Sequence, residues 1–277
     1  GIMENTGWEF VLGHENRIGD FTYSISANLE TYKNELVQFG AREINNNGTI
    51  RQEGLPWDSY YMYVFDGIYQ NQAEIDALKP LSNLTKPGDM KYKDINGDGK
   101  ITPEDRVVVG GAFPKFNYGF TVNAAWKGFD LSVFFQGVQG NDIFNQKKYT
   151  YYFDYSNNVV KDALNGWTKT NKNTGIPIMK TQNTSGGNSL PSEFYVEDGS
   201  YLRLKNLQLG YSLPKKWLEA IRFNKLRVYA GVQNLFTLTK YSGYDPEVSS
   251  NVLFSRGIDI SSYPNARTFT FGFNASF

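Results

Sequence analysis

The chain has 277 residues, room for one large domain or two small ones, and its 28 basic side chains match 28 acidic ones. That balance removes any net electrostatic case for nucleic acid or an anionic membrane surface. The lack of cysteine removes disulfides, thiolate metal sites and cysteine nucleophiles.

No run approaches the roughly 18 apolar residues of a membrane helix. Yet 19 Tyr, 20 Phe and 5 Trp sit in a chain of mean hydropathy −0.48. Many aromatics at low mean hydropathy suit a protein whose apolar residues line one face of many strands, as in a transmembrane β-barrel.

In chain order, the first residues, "GIMENTGWEF", already read as strand, so no signal peptide is expected among them, and "GWEFVLG" (7–13) is the first strand. "DFTYSISANLE" sets Phe21, Tyr23, Ile25, Ala27 and Leu29 against Thr22, Ser24, Ser26, Asn28 and Glu30. "FNYGFTVNAAW" sets Phe116, Tyr118, Phe120, Val122, Ala124 and Trp126 against Asn117, Gly119, Thr121, Asn123 and Ala125. "FDLSVFFQG" follows, with Phe129, Leu131, Val133 and Phe135 on one face. "LQLGYSL" gives Leu207, Leu209, Tyr211 and Leu213, and "LRVYAGVQ" gives Leu226, Val228, Ala230 and Val232. The chain ends "ARTFTFGFNASF", with Phe269, Phe271, Phe273, Ala275 and Phe277 opposite Thr268, Thr270, Gly272, Asn274 and Ser276.

Seven strands follow, near 7–13, 20–35, 115–126, 129–139, 200–213, 225–236 and 266–277. Their connections alternate. His14–Gly19, the Lys127-Gly128 hairpin turn and the proline-started helical turn "PKKWLEAIRFNK" are short. Those near 36–114, 140–199 and 237–265 are long. Short turns at one rim and long loops at the other are the organisation of outer-membrane barrels. Trp126, Phe129, Tyr211 and Trp217 stand at the short rim, as an aromatic girdle requires. Bacterial barrels close on an even strand count, so seven predicts either a missed strand, with "SYYMYVFDGIYQ" (59–70) the candidate, or a piece of a larger barrel.

Six stretches in order carry a family resemblance along nearly the whole chain. They are "GWEFVLGHENRIGDFTYSISANLE", "YVFDGIYQ", "YKDINGDGKITPEDRVVVGGAFPKFNYGFTVNAAWKGFDLSVFFQGVQGNDIFN", "YLRLKNLQLGYSLP", "LRVYAGVQNLFTLTKYSGYDPEV" and "YPNARTFTFGFNASF". The chain resembles the C-terminal part of a SusC/RagA-type TonB-dependent outer-membrane transporter. The resemblance implies an all-β fold: the C-terminal segment of an antiparallel barrel of about 22 strands with a plugged lumen. It implies nutrient import into a Gram-negative cell, energised through TonB, with oligosaccharide or peptide as cargo and a SusD-like surface lipoprotein as lid. The plug and the TonB-contacting segment would lie upstream. The last strand would close the barrel, and its terminal Phe277 resembles the signal read by the outer-membrane assembly machinery.

One motif carries site chemistry. "DINGDGKITPED" places Asp94, Asn96, Asp98, Lys100 (through its carbonyl), Thr102 and Asp105 at positions 1, 3, 5, 7, 9 and 12 of a calcium loop, with Gly99 at 6. A hard cation of that size takes six to eight oxygens, and the glycine lets alternate side chains converge. Asp at position 12 reaches less far than the usual Glu, and Pro103 and "RVVVGG" exclude helix–loop–helix. The expectation is a structural Ca2+ in a dockerin-like loop, against a plain Asn-Gly-Asp-Gly turn.

Other chemistry is thin. His14 is the lone histidine and falls in a short polar turn, so a histidine-based triad is excluded elsewhere. "SGYDPE" (242–247) matches a family signature, with Gly243 and Pro246 shaping a loop. Trp57, Tyr60, Tyr61, Tyr151 and Tyr152 are loop aromatics that either stack on sugars or pack among the loops. The chain is therefore read as a non-enzymatic transporter segment. The alternative is a secreted, calcium-stabilised β-sandwich that binds carbohydrate.

Overall fold

The computed structural model describes residues 1–153, 159–180, 187–220, 223–248 and 256–276. Seven long strands form one antiparallel sheet in chain order. They are β1 (Ile2–Ile18), β2 (Phe21–Gln38), β3 (Phe116–Trp126), β4 (Phe129–Gln139), β5 (Tyr201–Ser212), β6 (Lys225–Gln233) and β7 (Thr268–Ser276). Each is at least 9 residues long, enough to cross a bilayer at the usual tilt.

The seven predicted strands are these seven, with shifted ends. Pairing of β1 with β2 continues to Ile18↔Phe21, so His14 lies inside β1, its Nε2 3.2 Å from the Tyr23 hydroxyl, and not in a turn. The turn is confined to Gly19-Asp20, with Gly19 at φ +62°. β6 stops at Gln233; Thr237–Thr239 then pairs separately with Tyr201–Arg203.

The segment 59–70 is not an eighth wall strand. Ser59–Tyr63 pairs with Thr49–Arg51 and with Arg106–Gly110, in a small sheet outside the wall. Its pattern explains this: Tyr60, Met62 and Tyr63 are all buried, whereas a wall strand presents one polar face. Among the described residues no strand pairs with the outer edge of β1 or of β7. The fold is a segment of a larger transmembrane barrel.

The register assembles the short-turn rim. Phe21 stands opposite Trp126, Trp126 opposite Phe129, and Phe129 opposite Tyr211. The Phe129 and Tyr211 rings lie 4.5 Å apart. Lys127 (φ +45°) and Gly128 (φ +88°) both take the left-handed conformation of a tight hairpin, whose twist matches its strands. The predicted helical turn is the helix Lys215–Ala220.

Among the described residues no second sheet covers the wall in the manner of a sandwich. Phe269, Phe271 and Phe273 are 61%, 80% and 72% exposed, an arrangement stable only where the solvent is lipid. Burial is concentrated at the other rim. There Tyr60, Met62, Tyr63, Met90, Tyr92, Ile101, Phe144, Tyr195 and Ile258 form one core drawn from all three long connections. A three-stranded sheet joins two of them: Asp142–Asn145 pairs with Val196–Asp198 and, in parallel, with Ile258–Asp259. Phe277 lies outside the described residues.

Candidate functional site

The inner face of the wall is set by parity. On β2 the row Thr22, Ser24, Ser26, Asn28 and Glu30 continues into Tyr32, Asn34 and Leu36. Toward the long-loop rim these last residues and their β1 partners Gly7, Asn5 and Met3 border an open cleft of about 1340 Å³. Trp57, Phe39, Phe113 and Arg256 come down onto it from the loops. Asn34 fixes the junction: its amide donates to Asn5 Oδ1 at 2.8 Å, and its Oδ1 accepts the Trp57 backbone N–H at 2.7 Å. Arg51 lies 4.4 Å over the Trp57 ring and Arg256 4.9 Å over Phe113, which meets Tyr32 edge-on. The cleft offers aromatic faces, side-chain amides, the Arg256 guanidinium and the carboxylates of Glu9 and Glu30.

A second constellation holds the loops to the wall. Arg203 on β5 is buried, and each of its side-chain nitrogens has a partner. Nε donates to Thr237 Oγ1 and Nη1 to Glu247 Oε2, both at 2.8 Å, and Nη2 donates to Asp245. Lys205 Nζ adds a bond to Glu247 at 2.8 Å. Asp245 Oδ2 accepts the backbone N–H of Asn265, three residues before β7. Burial pushes the Asp245 carboxyl up, but the Arg203 guanidinium and the Asn265 and Glu247 amides outweigh it and hold it below the ordinary carboxylate value. Full pairing is what makes the buried charges tolerable. In "SGYDPE" the sequence pointed to Gly243 and Pro246. Gly243 does matter, since a Cβ there would lie 2.3 Å from the Tyr241 ring. The charged pair Asp245 and Glu247 ties the loop down.

The Asp94–Asp105 loop folds as a series of backbone-capping turns. Asp94 accepts from the N–H of Gly97 at 2.7 Å and of Gly99 at 2.8 Å; Asn96 accepts from Asp98, and Asp98 from Lys100. Asp105 is buried and accepts the N–H groups of Ile95 and Asn96 on Oδ1 and of Thr102 on Oδ2. Thr102 answers by accepting from Glu104, completing a capping box on the 3-10 turn Pro103–Asp105. Burial raises the Asp105 carboxyl, yet these amides lower it further, so it sits below its ordinary value. Among the described residues no three carboxylate or histidine side chains converge on a metal-sized site. The six residues share one loop, but Asp105 is satisfied by backbone amides.

The fate of the loop aromatics is mostly packing. Tyr60 is fully buried, its hydroxyl 2.8 Å from the Gly257 carbonyl; Tyr61 lies between Arg42 and Arg106, and Tyr152 meets Phe194 edge-on. Of the five, only Trp57 borders the cleft.

No protein-family model matches the chain. Curated proteins do, along its whole length. It is 34% identical to "TonB-dependent receptor P3" of Formosa agariphila and 28% identical to "TonB-dependent receptor SusC" of Bacteroides thetaiotaomicron, covering 100% of this chain each time. A solved structure, that of the "RagAB peptide transporter", superposes with a TM-score of 0.78 over 99% of the chain at 27% identity. The chain belongs to the SusC/RagA type of TonB-dependent transporter. It spans 29% of the length of the first of these receptors and 29% of the RagAB chain. As a SusC/RagA-type segment it is the C-terminal part of the barrel wall with its loops.

The cleft residues Tyr32, Asn34, Phe113 and Arg256 were missed in the sequence. One signal was available. The polar face of "FTYSISANLETYKNEL" stays small or polar through Glu30 and then becomes Tyr32 and Leu36, where the wall ends and the loops begin.

Proposed function

We propose that the full-length protein imports a nutrient oligomer across the outer membrane of a Gram-negative cell, energised through TonB, with a SusD-like surface lipoprotein closing the long-loop rim. The observation that carries this is the cleft. A recess of aromatic, amide and mixed-charge groups sits where the wall meets the packed loops. The named relatives are TonB-dependent receptors, and the RagAB neighbour is a peptide transporter, which supports import and makes peptide one of two cargo classes beside oligosaccharide.

The test is growth of a strain lacking the gene on single defined glycans or peptide mixtures. The reading expects loss of growth on one class, rescue by the intact gene, and no rescue by a version lacking its TonB-contacting segment. It also expects a surface lipoprotein to co-purify with the intact protein. Unchanged growth and uptake on every class would overturn it.

For the Asp94–Asp105 loop we propose a Ca2+ ligand set of Asp94, Asn96, Asp98, the Lys100 carbonyl, Thr102 and Asp105, supported by spacing. Binding would require Asp105 to exchange backbone amides for the ion. Millimolar calcium should then protect residues 90–105 from protease in the wild type and leave Asp94→Ala unprotected. Equal cleavage with calcium and with chelator would leave only the turn.

A further inference from the structure

The charge balance of the whole chain hides a local sorting. At the short-turn rim, Lys127 follows β3, Lys215 and Lys216 open the helix after β5, and Lys225 starts β6. All four are exposed. Among the described residues none has a carboxylate within ion-pairing distance, and Asp130 is taken by Arg227.

These lysines accompany an aromatic row. Trp126, Phe129 and Trp217 are 52%, 49% and 58% exposed, and Lys127 Nζ stands 5.1 Å over the Trp126 ring. The two turns are contiguous: the Ser212 N–H donates to the Gly128 carbonyl at 2.7 Å, two residues before Pro214. Leu218 is buried, so the helix is docked and carries Lys215, Lys216 and Trp217 at a fixed place.

Aromatic rings of this kind settle at the headgroup level of a bilayer. Unpaired ammonium groups held at the same level meet phosphate. Lysine also keeps its stem along apolar surface while the charge reaches outward. We propose that this rim is a binding site for anionic phospholipid headgroups in the periplasm-facing leaflet, with Lys127, Lys215, Lys216 and Lys225 as the phosphate contacts and Trp126 and Trp217 setting the depth. The inference rests on the barrel fold and is independent of the cargo.

The test uses the full-length protein in nanodiscs of zwitterionic phosphatidylethanolamine doped with phosphatidylglycerol, with native mass spectrometry of retained lipid. Phosphatidylglycerol should be enriched on the wild type over its share of the bilayer. Each lysine near an anionic surface is worth about fivefold, so the variant with all four changed to Gln should lose about tenfold or more of that enrichment. The four Lys→Arg changes should keep it. Added inorganic phosphate should not displace the lipid if the site reads a headgroup at the membrane surface, and displacement would mark a free-phosphate site instead. Equal enrichment on wild type and Gln variant, with both folded by heat-shift on gels, would overturn the proposal.

Discussion

The wall and the loop layer use the same residue types in opposite senses. In β7 the phenylalanines face outward and are mostly exposed, while the inner row is Thr, Gly, Asn and Ser. In the loop layer Tyr60, Tyr92, Tyr195 and Phe144 are buried against one another, as in a soluble protein. Lipid solvates the first set and protein the second. The difference teaches that period-two alternation alone does not tell a barrel from a sandwich; what covers the apolar face does. It also says where each part is fragile. The wall is sensitive to charge on its outer face, and the loop layer to loss of partners inside.

The largest expected effect lies at the joint between the two. Arg203→Ala leaves the buried Asp245 without its counter-charge, while Glu247 keeps Lys205, and should cost about 3–5 kcal/mol of loop-layer stability. Limited proteolysis of 236–265 on intact cells reads it. Cleavage as slow as in the wild type would mean that the joint contributes little. A double change of Arg203 to Met and Asp245 to Asn should recover much of the loss, because the buried charge is then gone from both sides.

Phe271→Arg tests the wall. Near the bilayer midplane it should destabilise the barrel by about 2–4 kcal/mol, measured by unfolding in vesicles. Asn274→Arg, on the inner row, should cost far less. Equal losses would erase the distinction between faces.

The third prediction sharpens the loop layer. Asp105 has a lowered carboxyl pKa, so its contribution is full above the unfolded value near about 4 and disappears as pH falls through the folded value. Protease resistance of 90–105 should hold from neutral pH to about pH 5 and fail only in stronger acid. Asp105→Asn should remove about 1–3 kcal/mol at neutral pH and flatten that acid step. An unchanged acid profile in the variant would assign the step elsewhere.

The smallest effect tests a close approach within the wall. Arg227 crosses from β6 to reach Asp130 on β4, with Nε 2.8 Å from Oδ2, and it passes directly over Gly210. A Cβ at 210 would lie 2.4 Å from the Arg227 guanidinium. Because that guanidinium ends a flexible side chain, Gly210→Ala should weaken the ion pair by about 1 kcal/mol or less and leave β5 in register. A larger loss of barrel stability would show that the pair organises the wall.

Much of the wall was legible in the sequence because a residue's place there depends on parity and on a uniform solvent. The seven strands and the aromatics at the short rim follow from that rule. The loop layer was not legible, because its contacts join residues far apart in the chain. The Tyr60 hydroxyl meets Gly257, and Met90 N–H meets Asn188. No local period encodes such pairs, which is why 59–70 read equally well as a wall strand. The calcium spacing was visible, but a spacing does not say which oxygens the backbone will claim, and Asp105 is claimed by three amides. His14 was misplaced for a simpler reason: polar residues near a strand end look like a turn, although pairing with Ile25 keeps them in the sheet.

The central claim is that the wall's two faces meet two solvents, and β7 allows it to be measured directly. The chain has no cysteine, so spin labels can be placed singly at positions 268 to 276 of the full-length protein in bilayers, any cysteine elsewhere being removed. Oxygen, which concentrates in lipid, and a water-soluble nickel chelate are then compared at each site. Our account predicts strict alternation, with labels at Phe269, Phe271, Phe273 and Ala275 accessible to oxygen and those at Thr270, Gly272 and Asn274 shielded from it. Equal oxygen accessibility at odd and even positions would contradict it.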